Sequence, residues 1–364
     1  MIRYKNHRSG LLLALVALFS APLVEAGDAA VVETPIQIGV QTSIWSETLG
    51  ETRPLRIYTP PSQTKSRTPA AVLYVLDGAN NFFHTAAAVD FLIGTGRIPE
   101  MIVVGIPSLD RGKDLTPSKD ERFLTFLTKE LAPWIESRYR TAPFRIITGH
   151  SRGGLFTLHT LLNRPDAFNA YVAVSPALWW NDLATLQDME AKLKRLPPRR
   201  FLYITDGNEA EQLTNAVAKN VAVLKRAAPA TLEWHYERLP NEEHMSTPHR
   251  TIYDGLEHIF SGMQVPRDVI LKRGIKGIEE HYAGLSARYG FDIPLPLGMV
   301  DWCGYYLLQQ GKPDMAVDVF KRNVELNPLE VRVYGSLGTA LNSAGRKDEA
   351  LEALNKAYQL ATAP

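Results

Sequence analysis

The stretch Thr148-Gly149-His150-Ser151-Arg152-Gly153-Gly154 leaves few folds open to the chain that carries it. An apolar, strand-like run from Phe144 to Ile147 precedes it, and an amphipathic, helix-like run from Leu155 to Leu162 follows. A serine at the apex of so tight a strand-to-helix bend must take a strained backbone conformation, and the residues two positions either side must lack colliding side chains. Gly149 and Gly153 meet that need. The serine then stands clear of a sheet, while the amide of Arg152 points from a helix N-terminus toward any oxyanion formed on a bound acyl group. A bare G-x-S-x-G arises by chance roughly 0.1 times in a chain of this length. The flanking strand and helix therefore carry the inference.

Around this turn, near-continuous apolar runs alternate with helical ones, which is how a parallel sheet covered on both faces reads. The pattern predicts strands over 71–76, 101–106, 144–148, 170–174, 201–205 and 232–239. Helices are expected near 86–93, 119–138, 154–163, 183–193, 211–227 and 247–261. An opening antiparallel hairpin, 36–49 and 55–59, brings the expected α/β sheet to eight strands with the serine turn after the fifth.

Ligands of such sheets gather at the carboxyl ends of the strands, so catalytic partners are sought just after the later ones. One strand ends in Thr205-Asp206-Gly207-Asn208-Glu209-Ala210-Glu211. Glu209 is the candidate to orient an imidazolium, with Asp206 and Glu211 as competitors. The last strand is followed by Pro240-Asn241-Glu242-Glu243-His244-Met245-Ser246, and Thr247-Pro248 then opens a helix. That places His244 on a loop, free to reach the serine, and commits His249 to a helix face. Ser151 as nucleophile, His244 as base and Glu209 as acid form a hydrolytic triad acting through an acyl-enzyme. A second oxyanion donor is expected after the strand over 71–76, where Gly78 permits close backbone approach and leaves the Ala79 amide to pair with that of Arg152.

Composition narrows the alternatives. The 364 residues are 45% hydrophobic and 22% charged, enough for one large globular domain and a small one. The net charge of +1 includes three basic and one acidic residue within 1–26, so the remainder stands at −1. Neither value, nor any basic run interleaved with aromatics, points to nucleic acid. Arg3, Lys5 and Arg8, the apolar stretch 11–18 and the small-residue site ending at Ala26 read as a cleaved export leader, too short and wrongly flanked to be a stable membrane anchor. The expected location is periplasmic or secreted. Cys303 is the sole cysteine, so no intramolecular disulfide can form. Without H-E-x-x-H or a cysteine ligand pair, no metal or other cofactor is expected.

With those residues placed, the chain resembles the putative-esterase branch of the α/β-hydrolases, which includes siderophore (enterobactin-type) esterases, S-formylglutathione hydrolases and mycolyltransferases. The resemblance lies nearest the siderophore-esterase-like members. It rests on Leu73-Tyr74-Val75-Leu76-Asp77-Gly78, on Val103-Val104-Gly105-Ile106 with 110–117, on Gly149-His150-Ser151-Arg152-Gly153-Gly154, on Ser175-Pro176-Ala177-Leu178-Trp179-Trp180 and on Glu243-His244-Met245-Ser246. These motifs span about 40–262. The resemblance implies an α/β-hydrolase fold, the same nucleophile, base and oxyanion amides, and an acid following Asn or Gly after the seventh strand, which favours Glu209. It also implies that Trp179 and Trp180 wall the substrate pocket and that Arg111, with Lys113, meets an anionic substrate.

From Ile275 the texture is purely helical, with a period of 34 that pairs Gly304 with Gly338, Gly311 with Gly345, Ala316 with Ala350 and Leu326 with Leu360. This resembles two tetratricopeptide units. Small residues would let paired helices approach, with Phe320 and Leu354 in the seams. The expected organisation is a leader over 1–26, an esterase domain over 27–265, a helical linker over 266–298 and two repeats over 299–364. The expected activity is hydrolysis of a small carboxylic ester. The competing readings are acyl transfer with the same triad, or an exported adaptor whose repeats bind a protein partner or a second copy.

Overall fold

The computed structural model describes residues 34–61, 63 and 68–363, so the expected leader lies outside the described residues. Strands β1 (Val40–Ser46) and β2 (Glu51–Tyr58) form the opening hairpin, turning at Gly50 with φ of 73°. They are followed by β3 (Ala70–Leu76), β4 (Met101–Ile106), β5 (Thr141–His150), β6 (Ala170–Val174), β7 (Arg200–Gly207) and β8 (Leu232–Leu239). The eight strands lie in the order β1-β2-β4-β3-β5-β6-β7-β8. β2 pairs antiparallel with β1 and β4, and every other pairing is parallel.

Residues two apart on a strand face the same side, so the apolar runs of β3 to β7 feed two separate cores. Leu73, Val75, Val103, Phe144, Val172 and Tyr203 point to one face, under helices α1 (Gly78–Gly94) and α5 (Thr247–Ile259). Tyr74, Leu76, Val104, Ile147, Ala173 and Ile204 point to the other, under α3 (Arg152–Asn163) and α4 (Glu211–Ala227). A five-residue helix, α2 (Arg111–Leu115), follows β4 and is capped by Asp110, whose carboxylate accepts from the amides of Gly112 and Lys113.

Three helices differ from their sequence expectation, the first being α1, expected near 86–93 but beginning at Gly78. The segment expected as one helix over 119–138 is an α-turn at Arg122–Thr125, a π-turn at Phe126–Leu131 and a further α-turn at Ala132–Glu136. Pro133 has no amide to donate and its ring would meet the carbonyl four residues back, and widening the preceding turn relieves both problems. The segment expected as a helix over 183–193 is three short pieces, Trp180–Leu183, Ala184–Leu186 and Met189–Leu193. Asn181, Asp182 and Asp188 take positive φ there, a conformation their short polar side chains tolerate better than most.

After α5 the chain is helical. Helix α6 (Arg267–Tyr289) breaks at Gly274, with φ 54° and ψ −139°, so its second half begins at Ile275. The chain continues through α7 (Leu297–Gln309), α8 (Pro313–Leu326), α9 (Val331–Ser343) and α10 (Lys347–Thr362). The period of 34 has a packing counterpart: a Cβ on Gly304 would lie 2.4 Å from the Phe320 ring, and one on Gly338 would lie 2.8 Å from Leu354. These helices do not form a separate core. Tyr289, Phe291, Val300, Cys303 and Phe320 continue the cluster that begins at Leu73 and Phe144 on the sheet. They approach the sheet near 96–100, just before β4, at the amino ends of the parallel strands. The carboxyl ends are left to the serine turn.

Candidate active site

Ser151 links β5 to α3 with φ 57° and ψ −110°, a conformation that costs a non-glycine residue free energy. Its amide donates to the Val174 carbonyl at 2.9 Å, and its carbonyl accepts from Ala177 at 2.9 Å and Leu155 at 3.0 Å, so β6 and α3 together hold the turn. A Cβ on Gly149 would sit 2.5 Å from the Gly153 carbonyl carbon, and one on Gly154 would sit 2.9 Å from the Val174 oxygen. No larger residue fits at either position without moving backbone.

The acid and base loops meet at the ends of β7 and β8. Glu209 Oε1 lies 3.2 Å from His244 Nδ1, at hydrogen-bond distance but with a bent approach. The Asn208 amide donates to the Glu242 carbonyl at 2.7 Å, which stitches one loop to the other. The Glu209 side chain is only 1% exposed. Burial pushes its carboxyl up, but His244, the Ser175 hydroxyl and the Gly207 amide outweigh that and hold it below the ordinary glutamate value. The two competing carboxylates are engaged elsewhere. Asp206 accepts from Tyr236 Oη at 2.8 Å and Arg238 Nη1 at 3.3 Å, and burial raises its carboxyl despite them. Glu211 is exposed at the start of α4, where it accepts from Asn215 at 3.2 Å.

Ser151 and His244 line one cleft of about 480 Å³, together with Asp77, Asn80, Asn81, His84, Arg111, His150 and His249. The His150 ring lies 4.5 Å from that of His244, centroid to centroid. Burial, with the neighbouring His244, lowers His150 to about 4, so it stays neutral beside the base. Helix α1 starts against the cleft immediately after Asp77, which has φ of 51°. Ala79 and Arg152 fall in the first turns of α1 and α3, where backbone amides have no intrahelical acceptor. Arg111 reaches the cleft but is held there by two 2.9 Å bonds from Nε and Nη2 to Asp77. Lys113 points away, toward Asp110. Trp179 and Trp180 do not line this cleft: Trp179 is exposed, and Trp180 packs against the opposite sheet face.

Sequence reasoning named His150, Ser175 and Thr247 only as parts of motifs and gave none of them a role in the site. Ser175 gave a faint signal, being a polar residue at the end of an otherwise apolar strand. Among the described residues no group of three or more His, Cys, Asp or Glu is arranged to hold a metal ion.

Comparison with known proteins then decides the family, since the family described as "Putative esterase" matches residues 46–251. The chain belongs to that family. Among curated esterases, it is 32% identical over 150 residues to the siderophore triacetylfusarinine C esterase of Aspergillus fumigatus, covering 34% of this chain and 50% of that protein. It is 36% identical over 141 residues to the ferri-bacillibactin esterase BesA of Bacillus subtilis, covering 30% of this chain and 48% of that one. The chain thus spans about half the length of these curated relatives. Among solved structures of the family's kind, an IroE-like serine hydrolase from Shewanella oneidensis is similar with a TM-score of 0.69 and 25% identity, covering 79% of this chain and 99% of that one. The eight-stranded sheet and its flanking helices are those of an α/β-hydrolase.

Proposed function

We propose that this chain is an exported serine hydrolase that cleaves carboxylic esters, siderophore esters among them. Ser151 attacks the carbonyl carbon, His244 takes its proton and passes it to the leaving alcohol, and Glu209 fixes the imidazole tautomer and stabilises the imidazolium. Water then repeats the cycle on the acyl-enzyme. The Ala79 and Arg152 amides receive the oxyanion. The observation that carries this reading is the strained Ser151 backbone opening onto the same cleft as His244, which is itself backed by a buried carboxylate. A turn held in that conformation is retained where the serine has work to do. The substrate class is supported by the relatives' activity on siderophores and by a cleft rich in hydrogen-bonding side chains; export is supported by the pattern of residues 1–26.

The test is hydrolysis of p-nitrophenyl acetate by residues 27–364, followed by siderophore esters and acylated sugars, with Ser151→Ala alongside. Loss of about 10⁴-fold or more in kcat in the variant is the expected outcome. A wild-type protein that neither hydrolyses these esters nor is labelled at Ser151 by a fluorophosphonate would sink the proposal.

A further inference from the structure

Behind the His244 loop lies a short chain of hydroxyls with no part in the bond-making steps. Ser175 follows β6 in a left-handed conformation, φ 40°, and is fully buried. Its amide donates to the Thr205 carbonyl at 3.0 Å, while the preceding residue, Val174, accepts from the Ser151 amide. The Ser175 backbone is therefore fixed to both the nucleophile turn and the strand that carries the acid. Its Oγ donates to Thr247 Oγ1 at 3.0 Å, and Thr247 Oγ1 donates to the His244 carbonyl at 3.0 Å. Thr247 is also fully buried, and its methyl group abuts Gly207, where a Cβ would lie 2.9 Å from it.

Ser175 thus reaches the backbone of the base residue through Thr247, and neither alcohol lines the cleft. Ser175 bonds across elements, from the end of β6 to α5, and Thr247 bonds three residues back to the His244 carbonyl, so the pair ties β6 to the base loop.

We propose that Ser175 and Thr247 are positioning residues that lock the His244 loop to the strand carrying the nucleophile turn, so that the base keeps one geometry through both half-reactions. The inference rests on the assignment of Ser151, His244 and Glu209 above. It predicts that the damage from removing either hydroxyl appears in turnover and not in substrate affinity, because a misplaced base slows proton transfer without touching the ground-state complex.

The experiment uses the whole chain with Ser175→Ala, Thr247→Val and Thr247→Ser, and p-nitrophenyl acetate as probe. Ser175→Ala and Thr247→Val are expected to lower kcat by about 10- to 100-fold with KM within about twofold, and Thr247→Ser to recover most of the loss. A second readout does not depend on the substrate: a downfield proton resonance from the His244–Glu209 pair is expected in the wild type and should broaden or vanish in Ser175→Ala. Unchanged kcat and an unchanged resonance in variants that are only less heat-stable would overturn the proposal. Failure of the esterase reading looks different, since there the wild type itself would neither turn over nor accept a fluorophosphonate, while the resonance would still decide the positioning role.

Discussion

Asp206 and Glu209 stand three residues apart at the end of β7, yet their partners assign them different work. Asp206 is committed to Tyr236 and Arg238, and Glu209 to His244. Glu209→Gln is therefore expected to lower kcat by about 10²- to 10⁴-fold, since the amide can favour the wrong imidazole tautomer. Asp206→Asn should leave kcat nearly unchanged and cost about 1–3 kcal/mol of stability, by weakening two bonds to a buried group. Steady-state kinetics paired with thermal melts separates the two. Ser151 and His244 were legible because each is marked locally, one by flanking glycines and the other by its loop before a helix. The acid was marked less firmly: the residues offered Glu209 with Asp206 and Glu211 as competitors, because the choice depends on how far two loops stand apart, which the Asn208–Glu242 bond helps to set. Trp179 and Trp180 fall outside the cleft lining for a related reason: a motif fixes sequence neighbours, not which cluster a side chain joins, and Trp180 packs with the other core.

The strands were the most readable elements, since burial on both faces leaves them no choice but continuous apolar sequence. Helices near proline or paired Asn and Asp were less so, as the segments at 122–136 and 180–193 attest. Placement of short elements was less legible still. Helix α2 is positioned by a buried ion pair, Arg53 Nη2 to Asp114 Oδ2 at 2.6 Å, in which the Arg53 side chain is fully buried and the carboxylate 5% exposed. Arg53 also reaches Glu51 at 2.7 Å, so the opening hairpin holds the helix that carries Arg111 to the cleft. Arg53→Ala strands a buried carboxylate and is expected to destabilise the fold by about 3–5 kcal/mol in urea titration. The slackened α2 should also raise KM, through Arg111, more than it lowers kcat.

The molecule places its chemistry and its helical tail at opposite ends of the parallel strands, and the described residues from Ile38 onward form one compact unit. Because the tail helices complete the core on one sheet face, removing them would expose Phe144 and its neighbours. A truncated chain therefore cannot separate a binding role of the tail from simple unfolding. Stability should also depend on pH in a definite sense. Burial lowers both His84 and His150 to about 4, below the value of about 6.5 expected in the unfolded chain. The unfolded state then takes up protons that the folded state refuses, so stability is full above that range and falls as pH drops from about 6.5 toward about 4. Loss of the Glu209 carboxylate adds to the fall at the acid end, its folded value being depressed. Melting temperatures recorded across this range should decline, and less steeply in His84→Asn.

Cys303 lies in α7 with none of its surface exposed, and burial pushes its thiol up to about 12. As the chain's one sulfhydryl, set where the tail closes over the sheet, it works as a built-in clock. Thiol reagents reach it only when that seam parts, so its rate of modification times the opening, while any single cysteine added at the surface can be dyed alone in the native protein.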